Sequence, residues 1–110
     1  MTNKELADHL LSYDETKLDF PFGEEVAVYK AKVGEEWKMF ALVPEDTEPI
    51  RISLKCDPEL ASVLREKYES VMEGYHLNKK HWNTIIMSGQ LSDQEIKDLI
   101  LHSYNLVKGV

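Results

Sequence analysis

The stretch Gly74 to Ile85, GYHLNKKHWNTI, gathers two histidines, two lysines, two asparagines and a tryptophan between two short apolar runs. Residues of these types suit a nucleic-acid contact. Lys79 and Lys80 would meet phosphates, Asn78 or Asn83 would hydrogen-bond to backbone or base edges, and His76, His81 or Trp82 would add stacking. The competing reading is a tight hairpin whose lysines are solvated and whose Trp82 packs into the core. With a turn at Asn78-Lys79, His76 and His81 would face each other across the hairpin. Imidazole suits zinc, nickel or copper, but two ligands fall short of a site and no third is expected nearby. No metal or other cofactor is therefore predicted. A hydrogen-bonding pair fits better, and its protonation would make the hairpin more basic below about pH 6.5.

A second candidate lies in Ile50-Arg51-Ile52-Ser53-Leu54-Lys55-Cys56, which alternates cleanly. Ile50, Ile52, Leu54 and Cys56 form its apolar phase, and Arg51, Ser53 and Lys55 project from the other, where they would meet phosphate or simply be solvated. Cys56, on the apolar phase and without an assignable base, is expected to be a small buried residue instead of a nucleophile. No convergent acid-base group can be assembled, so no catalytic residue is predicted and a binding protein is favoured over an enzyme.

The elements that must position these residues can be read along the chain. Thr2-Asn3-Lys4-Glu5 has capping-box spacing, and Leu6, Leu10 and Tyr13 follow at helical intervals, predicting a helix near 3–13. The polar Asp14 to Lys17 stretch ends it, and Phe20-Pro21-Phe22-Gly23 reads as a connection anchored to the core by its phenylalanines. Val26 to Val33 and Trp37 to Val43, separated by Gly34-Glu35-Glu36, read as a β-hairpin, followed by the strand at 50–56. Asp57-Pro58-Glu59 opens a helix to about residue 68. Val71 to Leu77 and Trp82 to Met87 are strand candidates joined through Asn78-Lys79-Lys80. Ser92-Asp93-Gln94-Glu95 caps a last helix over 93–107. The order α-β-β-β-α-β-β-α predicts an α+β fold, an antiparallel sheet with its helices packed on one face. His9 and His102, on leucine-rich helical segments, are expected to be partly buried.

The 110 residues fit one domain spanning 1–110. A single cysteine excludes an internal disulfide and suits a reducing compartment. The amino terminus does not read as a signal peptide and no apolar run approaches the roughly 20 residues that span a bilayer, so a cytoplasmic protein without membrane contact is expected. The net charge of −7 argues against coating nucleic acid by bulk charge. Residues 1–50 carry five lysines against twelve acids, whereas residues 51–110 carry eight bases and eight acids. A local basic face is compatible with this distribution.

FPFGEEVAVYK, KMFAL, ISLKCDPELASVLREKY and GYHLNKKHWNT together resemble the MmcQ/YjbR family over nearly the whole chain. Glu73, before Gly74, stands where many members carry proline, and residues 32–36 are slightly extended. The resemblance implies a frataxin-like fold and a likeness to the double-wing DNA-binding arrangement, in which the open side of the sheet faces the duplex. It implies a binding module more than any ligand. The frataxin likeness also invites comparison with an iron-associated acidic ridge, but Asp8, Asp14, Glu15, Asp19, Glu24 and Glu25 are scattered and frataxin motifs are absent, so solubilisation explains them better.

The expected function is a small protein that binds DNA through Arg51, Lys55, Asn78, Lys79 and Lys80, with His76, His81 and Asn83. The alternative partner is a small planar ligand held between the sheet and Tyr75 or Trp82.

Overall fold

The structure, a computed structural model, describes residues 1–74 and 77–110. Its helices begin where the capping signals lie. In α1 (Asn3–Leu10) the Thr2 hydroxyl accepts from the Glu5 amide at 3.1 Å, and the Glu5 carboxylate accepts from the Thr2 amide at 3.0 Å. Asp57 accepts from the amides of Glu59 and Leu60 to open α2 (Pro58–Lys67). Ser92 and Glu95 cap α3 (Asp93–Lys108) reciprocally, and Gly109 closes it at φ 80°, a left-handed conformation that glycine adopts without steric cost. The first helix is three residues shorter than its apolar spacing predicts. The Ser12 amide and hydroxyl both donate to the His9 carbonyl, a local alternative to another helical turn.

Six strands form one antiparallel sheet: β1 (Thr16–Asp19), β2 (Val26–Val33), β3 (Glu36–Pro44), β4 (Arg51–Lys55), β5 (Val71–Glu73) and β6 (Trp82–Ile86), in the spatial order β1-β2-β3-β4-β6-β5. The fold is α+β as expected, with one strand more than the sequence suggested. Thr16 and Lys17, expected in the polar exit Asp14 to Lys17, instead open TKLD, which adds to the sheet edge by pairing with residues 28–31 of β2. A short edge strand needs no continuous apolar run, because it is covered on few sides. A second correction concerns the connection after it: Phe20 and Phe22 are exposed, Phe22 at 61%, and do not anchor the core.

The main core lies between the helices and one side of the sheet. Leu6 and Leu10 of α1 and Ile96, Ile100, Tyr104 and Val107 of α3 pack against Ala27, Tyr29, Ala31, Ile52, Leu54 and Ile85. The register between β2 and β3 slips between Tyr29 and Lys30, leaving Phe40 as an extra residue. This bulge lets consecutive residues Phe40 and Ala41 both face the helices. Ser103, fully buried on α3, donates to the Phe40 carbonyl and accepts from the Lys55 amide at 2.9 Å. One hydroxyl thus fastens α3 to β3 and β4. Among the described residues no helix is long and apolar enough to cross a membrane.

Candidate nucleic-acid interface

Alternation along the paired strands assigns each side chain to the helix side or to the opposite, open side of the sheet. Arg51 and Lys55 fall on the open side, and Arg51 is exposed. Ser53 shares their phase but is buried, its hydroxyl 2.8 Å from that of Thr84 on β6. The centre of the open side is therefore not a solvated polar strip. Val28, Leu42 and Trp82 form a small second core there, with Val26, Met39 and Leu77 packed around it. Trp82 does fill a core, but on the side away from the helices.

Two expected contacts change role. Asn83 is 2% exposed on the helix side, in phase with Ile85. Its Oδ1 accepts from Arg65 Nη1 at 2.7 Å and its Nδ2 donates to the Ala61 carbonyl at 3.2 Å, so it joins α2 to β6 and does not stand on the open face. Asn78 is exposed but serves the turn. Its Oδ1 accepts from the Lys80 amide at 2.9 Å, and its carbonyl accepts from the amides of His81 and Trp82. The turn consequently spans 78–81, in place of a two-residue turn at Asn78-Lys79. The second strand of the predicted hairpin holds, but its first is β5, ending at Glu73. His76 and Tyr75 lie outside the described residues, so the facing of His76 and His81 and the planar-ligand role of Tyr75 lie outside them as well.

The loop lysines diverge. The Lys79 ammonium lies 3.6 Å from the Glu73 carboxylate, and the Lys79 carbonyl accepts from Arg65, which draws this residue toward α2. Lys80 is exposed. The His81 carbonyl accepts from the Cys56 amide at 2.8 Å, tying the end of this loop to β4. Gly74 is required at the other end: its amide donates to the Trp82 carbonyl, and a Cβ would stand 2.7 Å from the Trp82 Cβ.

Sequence reasoning missed the basic end of the open face. Lys17 pairs across from Lys30, and Lys32 from Trp37, all on the open side. The Lys17 ammonium sits 4.5 Å from the centre of the Trp37 ring, and Lys30 is paired with Asp19 at 2.8 Å. The i, i+2 spacing of Lys30 and Lys32 was the available signal. It was obscured because both phases of β2 contain apolar residues. Among the described strand residues, the open side carries Lys17, Lys30, Lys32, Arg51 and Lys55 against one acid, Asp19. The surplus of positive charge on this side contrasts with the −7 of the chain.

Cys56 is buried and burial pushes its thiol up to about 11, which leaves it protonated near neutrality and a poor nucleophile. Among the described residues no group of three or more histidine, cysteine, aspartate or glutamate side chains could hold a metal. Of the scattered acids, Asp8, Asp19 and Glu15 pair with Lys4, Lys30 and Lys108.

An antiparallel sheet with helices on one side, and an opposite side whose strands carry cations around a small buried apolar core, defines a small α+β domain. The YjbR family model matches residues 11–106, and the chain belongs to that family. It is 38% identical over 91 residues to the uncharacterized protein YbdF of Escherichia coli O157:H7, covering 83% of this chain and 71% of that one. It is 42% identical over 66 residues to the uncharacterized protein YjbR of E. coli K12, covering 60% of this chain and 56% of the relative. The crystal structure of a Deinococcus radiodurans protein with a DUF419 domain superposes at TM-score 0.91 with 36% identity, covering 99% of this chain and 81% of the other. A crystal structure from Pseudomonas syringae superposes at 0.79 with 30% identity, covering 97% and 99%.

Proposed function

We propose that this protein binds nucleic acid, DNA in the first instance, through the open side of its sheet. The observation that carries the reading is the segregation of charge: among the described strand residues, five cationic side chains face the side without helices against one acidic one, in a chain whose net charge is −7. Arg51 and Lys55 contact phosphates on β4, and Lys80, with Lys79 once it leaves Glu73, extends the contact at the loop. Asn83 and Asn78 support the surface from beneath and from the turn. The small number of cations and the negative field of the whole chain make the affinity weak and salt-dependent.

Fluorescence anisotropy of labelled duplex and single-stranded DNA, at low and near-physiological salt, tests this. About four phosphate contacts correspond to a slope of log K against log salt of roughly −3 to −4. Replacing Arg51 and Lys55 with alanine should flatten that slope by about 2. Absence of binding at low salt would overturn the reading.

A small-ligand reading has one observation in its favour, at a different place from the expected one. A cleft of about 480 Å³, within the usual range for ligand sites, opens between the starts of α1 and α3 and is lined by Met1, Glu48, Pro49, Ile50, Met87 and Leu91, among others. A thermal-shift screen with small amines and planar apolar compounds tests it, because a ligand seated there would bridge three segments and raise Tm.

A further inference from the structure

The structure assigns a role to the missed end of the open face: we infer that Trp37, with Lys17 and Lys32, is a stacking site for an unpaired base of single-stranded nucleic acid. The inference rests on the nucleic-acid reading and narrows its substrate class. Trp37 is 37% exposed although it lies within a strand, flanked directly across the ladder by Lys32. Lys17 reaches from β1 across β2 to place its ammonium 4.5 Å from the indole centre, which holds the ring in one orientation at the surface. The other tryptophan, Trp82, is 8% exposed and packed beneath Leu77, so it offers no free ring face.

An exposed aromatic ring between two lysines matches the way single strands are bound, with a base on the ring and its phosphates on the cations. A duplex keeps its base faces stacked on one another and presents only base edges and backbone to a flat sheet. The incoming base takes the place of the Lys17 ammonium over the indole, and that ammonium moves to the adjoining phosphate. Lys32 meets the phosphate on the other side. Lys30 is held by Asp19 at 2.8 Å and remains a spectator. Arg51 and Lys55, further along the same side, continue the track for the backbone. The buried second core of Val28, Leu42 and Trp82 lies between the two cationic groups and keeps their strands in one sheet.

The test uses a labelled oligothymidylate of about fifteen nucleotides and a duplex of similar length at low salt. The single strand is expected to quench tryptophan fluorescence of the full chain and to protect it from acrylamide, whereas the duplex does neither. Trp37→Leu keeps an apolar side chain without a stacking ring. It should abolish the quench and weaken single-strand binding roughly ten- to a hundred-fold, with duplex binding changed by less than about threefold. A Lys17→Ala, Lys32→Ala variant keeps the ring and should weaken the single strand while retaining the quench. Single-strand binding that is lost on replacing Arg51 and Lys55 but unaffected by Trp37→Leu would overturn the stacking site and leave the broader reading standing. Duplex binding without single-strand binding would do the same. Failure of both nucleic acids to bind would remove both.

Discussion

Replacing Asn83 with alanine separates a supporting residue from a contact residue. The side chain is 2% exposed and makes two hydrogen bonds, one charge-assisted from Arg65 at 2.7 Å and one to the Ala61 carbonyl at 3.2 Å. A hydrogen bond to a charged group contributes about 1.5–3 kcal/mol. The half-buried Arg65 keeps its second acceptor, the Lys79 carbonyl at 3.2 Å, which limits the penalty of stranding its charge. A loss of about 2 kcal/mol follows, and with about 4 °C per kcal/mol for a chain of this size, Tm should fall by roughly 8 °C. The assay is thermal and urea unfolding of Asn83→Ala, Arg65→Ala and the double variant, with DNA anisotropy on each. The double variant should be less destabilised than the sum of the two, with a coupling near 1 kcal/mol or more, while DNA affinity at a temperature where all are folded stays within about twofold of wild type. An unchanged Tm together with weakened DNA binding would refute the reasoning and return Asn83 to the binding surface.

Ser103→Ala should cost about 2–4 kcal/mol, because it leaves the bulge carbonyl of Phe40 and the Lys55 amide without their buried partner; a urea midpoint shift below that of a typical surface substitution would contradict this. Cys56 should resist iodoacetamide at pH 8 in the native state and react once the chain is unfolded. Its thiol ionises near 11 when folded and near 9 when not, so the folded state holds a proton that the unfolded state releases. The contribution of this group to stability is therefore complete below about pH 9 and declines between 9 and 11, which a series of urea titrations across that window checks.

Much of the fold is legible because its signals are local. Thr2, Asp57 and Ser92 each precede a helix by the spacing that their side chains need to reach a free amide, and all three serve as caps. The alternation of residues 50–56 gave both the strand and its two sides correctly, since a period of two leaves no ambiguity where one phase is wholly apolar. β1 escaped notice because TKLD has no such phase and takes its identity from β2. The site was less legible for a different reason. Alternation tells which residues share a side, but which side the helices cover at a given strand depends on where they pack, and Asn83 was misassigned despite being in phase with Ile85. Ser53 was assigned to the right side and still proved buried, because Trp82 and Leu77 build a second core over that region. Lys17, Lys30 and Lys32 sit among acids in the sequence and are separated from most of them only by the pairing of β1, β2 and β3.

The central claim is that nucleic acid meets the open side of the sheet, and amide chemical-shift mapping tests it most directly. The labelled protein is titrated with single-stranded and duplex DNA at low salt. Perturbations should concentrate on β1 to β4 at Lys17, Lys32, Trp37, Arg51 and Lys55 and in the loop at Lys80, fading as salt is raised, with α1 and α3 unmoved. Perturbations gathered on α1 or α3, or no saturable change with either nucleic acid, would contradict it.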